Sequence, residues 1–265
     1  MYDDVVIDGW MERGWPPGNA GGAGGLFLTQ READFLRLPP ELFFASELFQ
    51  GKYVRRRDLV RDYPIQSVCS RRSLLYSGER LDQFDQDVFL ASAARFPRQK
   101  SSAPSALKMD LKALAREVLG RGGAVDRRRV SESLRRLESG RIKIRGGRFT
   151  CYLQPIQKAL FDDKADHCVI ELNPEILRAL QRGEDLRGFV RERFRLSKVS
   201  MDRWLHGVMH YSDRICIPFA WLPVLSGNAG AVPAHVEESL NRLRGSAPAS
   251  RLKLGEGGLE ISRGD

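Results

Sequence analysis

The sequence predicts a mainly α-helical protein with small β-sheets, an α+β fold built from two similar domains in tandem. A short pattern occurs twice, as "VSESLRRL" at 130–137 and as "VEESLNRL" at 236–243. Each copy runs into an alternating stretch around a Gly-Gly pair, which is typical of a β-hairpin. The order helix, short strand, helix, turn, helix, hairpin thus occurs twice, which predicts two winged-helix domains rather than a solenoid repeat.

Composition indicates where the domains begin and end. Residues 11–26 are rich in Gly and Pro, so residues 1–44 are predicted to form a flexible N-terminal tail. The first winged-helix domain is predicted over residues 45–188, and the second over residues 189–265. The apolar stretch at Glu41–Phe49 is expected to dock on the first domain.

Local spacing and capping residues predict the elements of the first domain. Its helices are expected over Leu81–Phe96, from the N-cap Asp110 to Gly120, from the N-cap Asp126 to near Gly140, and from Asn173 and Pro174 onward. Its strands are expected as two around a turn between Arg55 and Leu81, then at Arg141–Arg145, Arg148–Phe161 and His167–Leu172.

The second domain repeats the order. Its predicted elements are the helix "LSKVSMDRWLHGVMHYSD", the strand "RICIPF", the short helix "WLPVLSG", a helix from Pro233 to Gly245 and the hairpin "SRLKLGEGGLEIS". Pro223 lies in the first turn of the short helix, a position where proline is tolerated.

Positive charge is concentrated beside the first copy of the pattern. The formal net charge is +9, and residues 121–148 alone contain ten basic residues against three acidic ones. A solvated helix face is the plain interpretation of such a run. Its position inside a repeated helix and hairpin favours binding to nucleic-acid phosphates.

Each pattern helix is predicted to bury one face and to present the other to DNA. The buried stripes are Val130, Leu134 and Leu137 in the first copy, and Val236, Leu240 and Leu243 in the second. The outward faces carry Arg128, Arg129, Glu132, Arg135 and Arg136 in the first copy, and Ala234, His235, Glu238, Asn241 and Arg242 in the second. An α-helix fits the major groove, so the Arg-rich helix is expected to grip the backbone and the second helix to read bases.

The hairpins are predicted to act as basic wings beside these helices. A period of two places Arg141, Lys143 and Arg145 on one strand face, opposite Ile142 and Ile144. The second hairpin repeats this with Arg251 and Lys253, and tight tips are expected at Gly146–Gly147 and Gly257–Gly258. The candidate DNA-binding residues are Arg127, Arg128, Arg129, Arg135, Arg136, Arg141, Lys143, Arg145, Arg148, His235, Glu238, Asn241, Arg242, Arg251 and Lys253.

The motifs of common catalytic and metal sites are missing from the sequence. His206 and His210 stand four residues apart, but Gly207 takes the place of the glutamate of the H-E-x-x-H pattern. No phosphate-binding loop, G-x-S-x-G elbow or dinucleotide motif occurs. We therefore expect no enzyme activity, no cofactor and no metal.

The remaining composition indicates a cytoplasmic protein that does not enter a membrane. The chain has no long apolar run and no secretory signal at its N-terminus. The cysteines are scattered, which favours reduced thiols over a disulfide framework or zinc site. They lie at Cys69, Cys151, Cys168 and Cys216.

Five collinear segments give the chain a resemblance to a known family. They are "ASELF", "LLYSGERLDQFDQDVFLASAARFP", "VSESLRRLESGRIKI", "CVIELNPEIL" and "RLSKVSMDRWLHGVMHYSD". In order and spacing the chain resembles the TrfA-type replication initiators of plasmids over about residues 45–265. It departs from them in a short, Gly-rich N-terminal extension. The sliding-clamp peptide is also incomplete, since "GGLFL" at Gly24–Leu28 lacks its Gln.

The resemblance implies a plasmid replication initiator without catalytic activity. Such a protein binds repeated origin sequences (iterons) as duplex DNA, opens the adjacent duplex and recruits the host replicative helicase and initiator proteins. Family members occur as inactive dimers and active monomers, so a homodimer is a further expected partner, and autorepression is expected. The alternatives are a tandem winged-helix transcriptional regulator with no role in replication, and an interaction protein whose first domain serves only dimerisation.

Overall fold

The computed structural model describes residues 30–68, 72–97, 106–162, 165–181, 185–211, 215–231, 233–243 and 252–261. Its helices are α1 Gln30–Leu36, α2 Glu41–Phe44, α3 Gln83–Ala93, α4 Leu111–Leu119, α5 Ala124–Ser139, α6 Pro174–Leu180, α7 Leu186–Arg195, α8 Ser200–Tyr211, α9 Leu222–Ser226 and α10 Pro233–Leu243. Its strands are β1 Phe49–Gln50, β2 Leu59–Ile65, β3 Ser73–Glu79, β4 Leu81–Asp82, β5 Ala106–Asp110, β6 Arg141–Gly146, β7 Phe149–Leu153, β8 Ile156–Phe161, β9 His167–Leu172, β10 Ile215–Pro218, β11 Leu252–Leu254 and β12 Gly258–Ile261.

The first winged helix combines α3, α4 and α5 with a three-stranded sheet in the order β5-β9-β8. Asp110 caps α4 by accepting hydrogen bonds from two backbone N–H groups, and Gly120 ends it with a left-handed φ of 75°. Both predicted ends of α4 are confirmed. The predicted cap of α5 is shifted, because the helix begins at Ala124 and Asp126 lies in its first turn.

The second winged helix has the same topology. It combines α8, α9 and α10 with a sheet in the order β10-β12-β11, so in both units the first strand pairs with the last. The predicted positions of Pro223 and Pro233 in α9 and α10 are confirmed. Gly257 lies in the tip of the β11-β12 hairpin as predicted, and Gly258 closes that tip, since its carbonyl oxygen accepts from the Gly255 N–H at 2.9 Å. Gly258 also pairs with Pro218 of β10. A Cβ atom on Gly258 would lie 2.2 Å from the Ile217 carbonyl oxygen, so the close approach of β12 to β10 at this position requires glycine.

The hairpin β6-β7 is an insertion between α5 and the wing of the first unit. β6 pairs with β3, which gives a separate four-stranded sheet in the order β2-β3-β6-β7. The wing equivalent to β11-β12 is β8-β9, so the prediction that "RIKIRGGR" and "RLKLGEGG" are matching wings is wrong. The predicted stretch Arg148–Phe161 also divides into β7 and β8, on either side of Pro155.

The segment before the first winged helix belongs to the core. Leu38, Leu42, Phe43 and Phe44 are buried in the first apolar cluster, so the predicted tail over residues 1–44 is wrong for this part. The docking expected for Glu41–Phe49 is confirmed, because β1 also pairs in parallel with β4 at the start of α3. Residues 1–29 of the predicted tail lie outside the described residues.

Two apolar cores meet at the junction between the units. Phe189 and Val190 of α7 belong to the first core, so the predicted boundary between residues 188 and 189 passes through a helix that had not been predicted. Ala45 packs in the second core and Tyr211 of α8 in the first, so each unit contributes to the other. Among the described helices, none is long and apolar enough to span a membrane.

A buried ion-pair network joins the two units. Arg193 of α7 is fully buried and donates from Nε to Asp87 of α3 at 2.7 Å, and from Nη1 to the backbone oxygen of Arg203 at 2.6 Å. Arg203 of α8 pairs with the other carboxylate oxygen of Asp87. Gln83 and Gln86 accept from the remaining Arg193 nitrogen at 2.7 and 2.9 Å. The network therefore connects the first helix of each winged helix through α7.

His206 lies beside this junction, and we expect it to make stability depend on pH. Burial lowers the pKa of His206 to about 2, and nearby Arg193 acts in the same direction. The histidine of the unfolded chain has a pKa of about 6.5, so the unfolded state gains a proton first as the pH falls. From pH 7 to pH 5 this should remove about 2 kcal/mol from the free energy of unfolding, and the loss continues toward pH 2.

Urea titrations at both pH values test this expectation. The Phe189 ring stacks on His206 at 4.8 Å between ring centres, so the variant His206→Phe keeps a ring at this contact. In this variant the free energy of unfolding should no longer fall by about 2 kcal/mol between pH 7 and pH 5. A change at the exposed His235 to Ala should keep that difference. An unchanged pH dependence in His206→Phe would contradict the prediction.

Candidate nucleic-acid interface

The two repeated helices, α5 and α10, are seated by the predicted apolar stripes. The confirmed buried members are Val130, Leu134, Leu137, Val236 and Leu243, while Leu240 is half-buried. In each unit this stripe packs the helix onto the first helix of the winged helix, α3 or α8. Each helix therefore has its opposite face available to a ligand.

A carboxylate of α3 clamps α5 in place. Asp85 is buried, and its Oδ1 accepts from the Ser133 hydroxyl at 2.7 Å and from Arg136 at 2.9 and 3.1 Å. Its other oxygen accepts from the backbone N–H of Asp82 and pairs with Arg57 at 2.8 Å. Burial and the nearby Asp82 charge raise the pKa of Asp85, so its ionised form depends on the two arginines.

The second unit contains the same clamp. Asp202 is the third residue of α8, as Asp85 is of α3, and it accepts two hydrogen bonds of 2.9 Å from Arg242. Arg242 also donates to the Ser239 hydroxyl at 2.9 Å. Burial opposes ionisation of Asp202, but hydrogen bonds from Arg242, Ser197 and Ser239 hold its pKa below the ordinary value. The Asp–Ser–Arg clamp is thus a repeated device.

The clamps change the interpretation of two candidate DNA-binding residues. The Arg136 side chain is only 15% exposed and points toward α3, so its predicted outward position is wrong. The Arg242 side chain is 33% exposed, and its guanidinium is shared between Asp202 and Glu238. Both arginines hold their helix in place, because each donates two hydrogen bonds to a buried carboxylate on the first helix of its unit.

The outward face of α5 begins with two differently placed arginines. Arg128 has a side chain that is 82% exposed and pairs with Glu132 one turn later at 2.9 Å. Arg127 is half-buried and pairs with Asp166, in the loop of the true wing, at 2.9 Å. Arg128 is therefore open to a phosphate, whereas Arg127 connects the helix to its wing.

Aromatic rings support two further arginines of α5. The guanidinium of Arg129 lies 5.0 Å from the ring centre of Phe84, and that of Arg135 lies 4.6 Å from the ring centre of Phe161. Both arginines are exposed. Such stacking limits the rotamers of a long side chain and so reduces the entropy lost on binding. Arg128, Arg129 and Arg135 are the predicted residues that remain on the open face.

The outward face of α10 is less charged. Ala234, Glu238 and Asn241 are exposed, and Glu238 accepts from Arg242 at 2.6 Å. His235 is exposed, with its Nδ1 2.6 Å from the Gly230 backbone oxygen. An amide and a carboxylate one turn apart suit base edges more than phosphates.

The basic residues of the β6-β7 hairpin lie on the four-stranded sheet, away from the wing. Arg141 and Arg145 are exposed, and Lys143 is largely covered, with its Nζ 3.9 Å from Asp62 and 5.6 Å from the Tyr152 ring centre. The predicted alternation with the buried Ile142 and Ile144 is confirmed. Arg148 lies over the Phe149 ring at 5.0 Å. These residues form a second basic surface instead of the predicted wing.

Neither true wing is predominantly basic over its described residues. In the first unit the described residues of the loop from 162 to 166 include Asp162 and Asp166, which would repel DNA phosphates. In the second unit Lys253 is exposed on β11 together with Glu256 and Glu260 of the same hairpin, and the predicted Arg251 lies outside the described residues. The basic wing predicted for the first unit is therefore replaced by an acidic one.

The fold is similar to a solved structure of domains 2 and 3 of RctB. The TM-score is 0.56 with 11% sequence identity, over 77% of this chain and 86% of that one. The chain shares the fold of those domains. A second structure, of RctB residues 155–483, gives a TM-score of 0.49 at 11% identity over 78% of this chain and 82% of that one. No family model and no curated protein matches the sequence.

Asp85 and Asp202 are the important residues that sequence reasoning missed. The available signal was the Ser and the Arg that both octapeptides share, Ser133 with Arg136 and Ser239 with Arg242, which the helical wheel places beside the buried stripe. Within the described ranges, no group of three His, Cys, Asp or Glu residues could hold a metal ion.

Proposed function

We propose that this protein is a replication initiator that binds duplex DNA through α5 and α10. The observation that carries the proposal is the pair of recognition helices, each locked by the same Asp–Ser–Arg clamp in a winged helix and each presenting an open polar face. The fold adds support, because RctB, whose domains share it, is a replication initiator.

The finer parts of the proposal follow from the resemblance to TrfA-type initiators. The protein recognises repeated sequences in a plasmid origin, promotes opening of the adjacent duplex and recruits the host helicase and initiator proteins in the cytoplasm. It acts without catalysis, represses its own promoter and exchanges between monomer and homodimer. Arg128, Arg129 and Arg135 supply the charge that holds α5 against phosphates.

Transformation with a minimal origin tests the proposal. A plasmid carrying only the cognate repeats and the gene should be maintained in a host that otherwise loses it. Loss of that plasmid, together with repression of a reporter driven by the same repeats, would favour the transcriptional regulator with tandem winged helices. Both outcomes require duplex binding, so they separate replication from regulation.

We expect the affinity for duplex DNA to fall steeply with salt. Each phosphate neutralised by Lys or Arg contributes about 0.9 to the slope of log K against log salt. Replacing Arg128 and Arg135 with Ala should reduce the magnitude of that slope by about 2, measured by fluorescence anisotropy.

The control for this slope is Arg191→Ala on α7, which removes one positive charge, where the test variant removes two, from an exposed side chain outside both recognition helices. The control should keep the parental slope. Equal slopes in all three proteins would show that α5 does not contact the backbone.

A further inference from the structure

The two octapeptides share six positions, and five of them have a role in folding. Written together they give V-x-E-S-L-x-R-L. The Val and the two Leu positions pack on the core, and the Ser and the Arg form the clamps. The sixth position is Glu132 in one copy and Glu238 in the other. Their side chains are 46% and 67% exposed, and each pairs with an arginine one turn away. Such an exposed ion pair stabilises a helix only weakly, so folding gives little reason for a carboxylate at both places.

Both glutamates lie at the centre of the open face. A residue two positions after the buried Val is rotated by about 200° from it, so it points away from the core. Glu132 lies between Arg128 and Arg135 on this face, and Glu238 lies between Ala234 and Asn241. A helix that enters the major groove brings such central residues closest to base edges.

A carboxylate is a poor choice for a surface that only binds phosphates. Like charges repel, so each glutamate weakens binding to any DNA unless it forms a favourable contact of its own. In the major groove a carboxylate can accept a hydrogen bond from the N4 amino group of cytosine, which no other base presents in the same place.

Arginines orient both carboxylates. Arg242 is fixed on Asp202 through Nε and Nη2, and its Nη1 donates to Glu238 Oε1 at 2.6 Å. Arg128 Nε donates to Glu132 Oε1 at 2.9 Å, from a side chain that is itself exposed. Glu238 is therefore held more firmly than Glu132, because its partner is part of a clamp.

We infer that Glu132 and Glu238 each read the amino group of a cytosine, so that both recognition helices require a C·G pair at the matching position of their subsite. This inference rests on the proposed binding of duplex DNA. The shared glutamate gives the two subsites one common base pair, while Arg135 and Asn241 make the rest of each subsite different.

Selection from a random-sequence duplex library tests the inference. The enriched site should contain two C·G pairs, and changing either pair to T·A should weaken binding roughly 5- to 150-fold. Glu238→Ala should abolish the preference at one pair and Glu132→Ala at the other, with the larger effect for Glu238. Glu237→Ala, an exposed neighbour on α10, is the matched control and should keep both preferences.

Other outcomes overturn the inference in distinguishable ways. If both Glu→Ala variants bind all sequences more tightly and keep the base preferences, the carboxylates only repel DNA and the inference fails while the proposed function stands. If the parent protein shows no salt-dependent binding to any duplex, the proposed function fails and the inference fails with it.

Discussion

Replacing Asp87 with Asn should lower the free energy of unfolding by about 3–5 kcal/mol. Asp87 is fully buried and its two oxygens separately pair with Arg193 and Arg203. The amide has almost the same shape but no charge, so two guanidinium groups would remain in the interior without a counter-ion. Burial already lowers the pKa of Arg193 to about 9, yet that group stays charged at neutral pH.

Urea unfolding followed by circular dichroism would measure this loss. The matched control is Asp166→Asn, which removes an equal charge from a carboxylate that is 53% exposed and pairs with Arg127. A surface ion pair contributes at most about 1 kcal/mol, so the control should remain close to the parent. Similar losses in both variants would mean that the interior network is not what joins the units.

Replacing Arg136 with Ala should cost about 2–3 kcal/mol of stability and leave DNA binding largely intact. The change removes two hydrogen bonds from the buried Asp85, which keeps only Arg57 as a cation. The neighbouring variant Arg135→Ala should instead weaken DNA binding and leave stability nearly unchanged. Its guanidinium is exposed on the Phe161 ring, so stability changes by less than about 1 kcal/mol and the salt slope falls by about 0.9.

Thermal unfolding and anisotropy on the same two preparations would decide between these roles. Binding should be measured well below the unfolding temperature, so that loss of folded protein does not imitate loss of contact. The clamp assignment is wrong if Arg136→Ala keeps its stability and loses salt dependence instead. The pair is informative because the two residues are adjacent in sequence and have the same charge.

Sequence reasoning located both recognition helices because their apolar stripes have a strong helical period. Val130, Leu134 and Leu137 specify which face is buried without reference to the rest of the chain. The helical period does not show which of two adjacent arginines is exposed and which contacts another helix. Arg135 and Arg136 look alike in sequence, and only the contact of Arg136 with Asp85 on α3, 51 residues earlier, distinguishes the clamp residue from the exposed one.

The wing was assigned wrongly for a related reason. Alternation in "RIKIRGGR" correctly predicted a hairpin with Ile142 and Ile144 inward. Strand pairing, however, depends on residues distant in sequence, and β6 finds β3 instead of β5. The acidic hairpin β8-β9 is less similar to β11-β12 in sequence, although its position in the sheet is the same. Local sequence patterns therefore predict helices and strands well, but they do not predict which strands pair.

The link between α3 and α8 through Arg193 has a consequence for the DNA. The clamps hold α5 on α3 and α10 on α8, and the network joins α3 to α8. The separation and relative rotation of α5 and α10 are therefore restricted. In the proposed complex with DNA, altering the spacing between the two subsites by half a helical turn would present the wrong face of the duplex to the second of these helices. Smaller mismatches must then be absorbed by twist in the DNA, whose stiffness depends on the bases between the contacts.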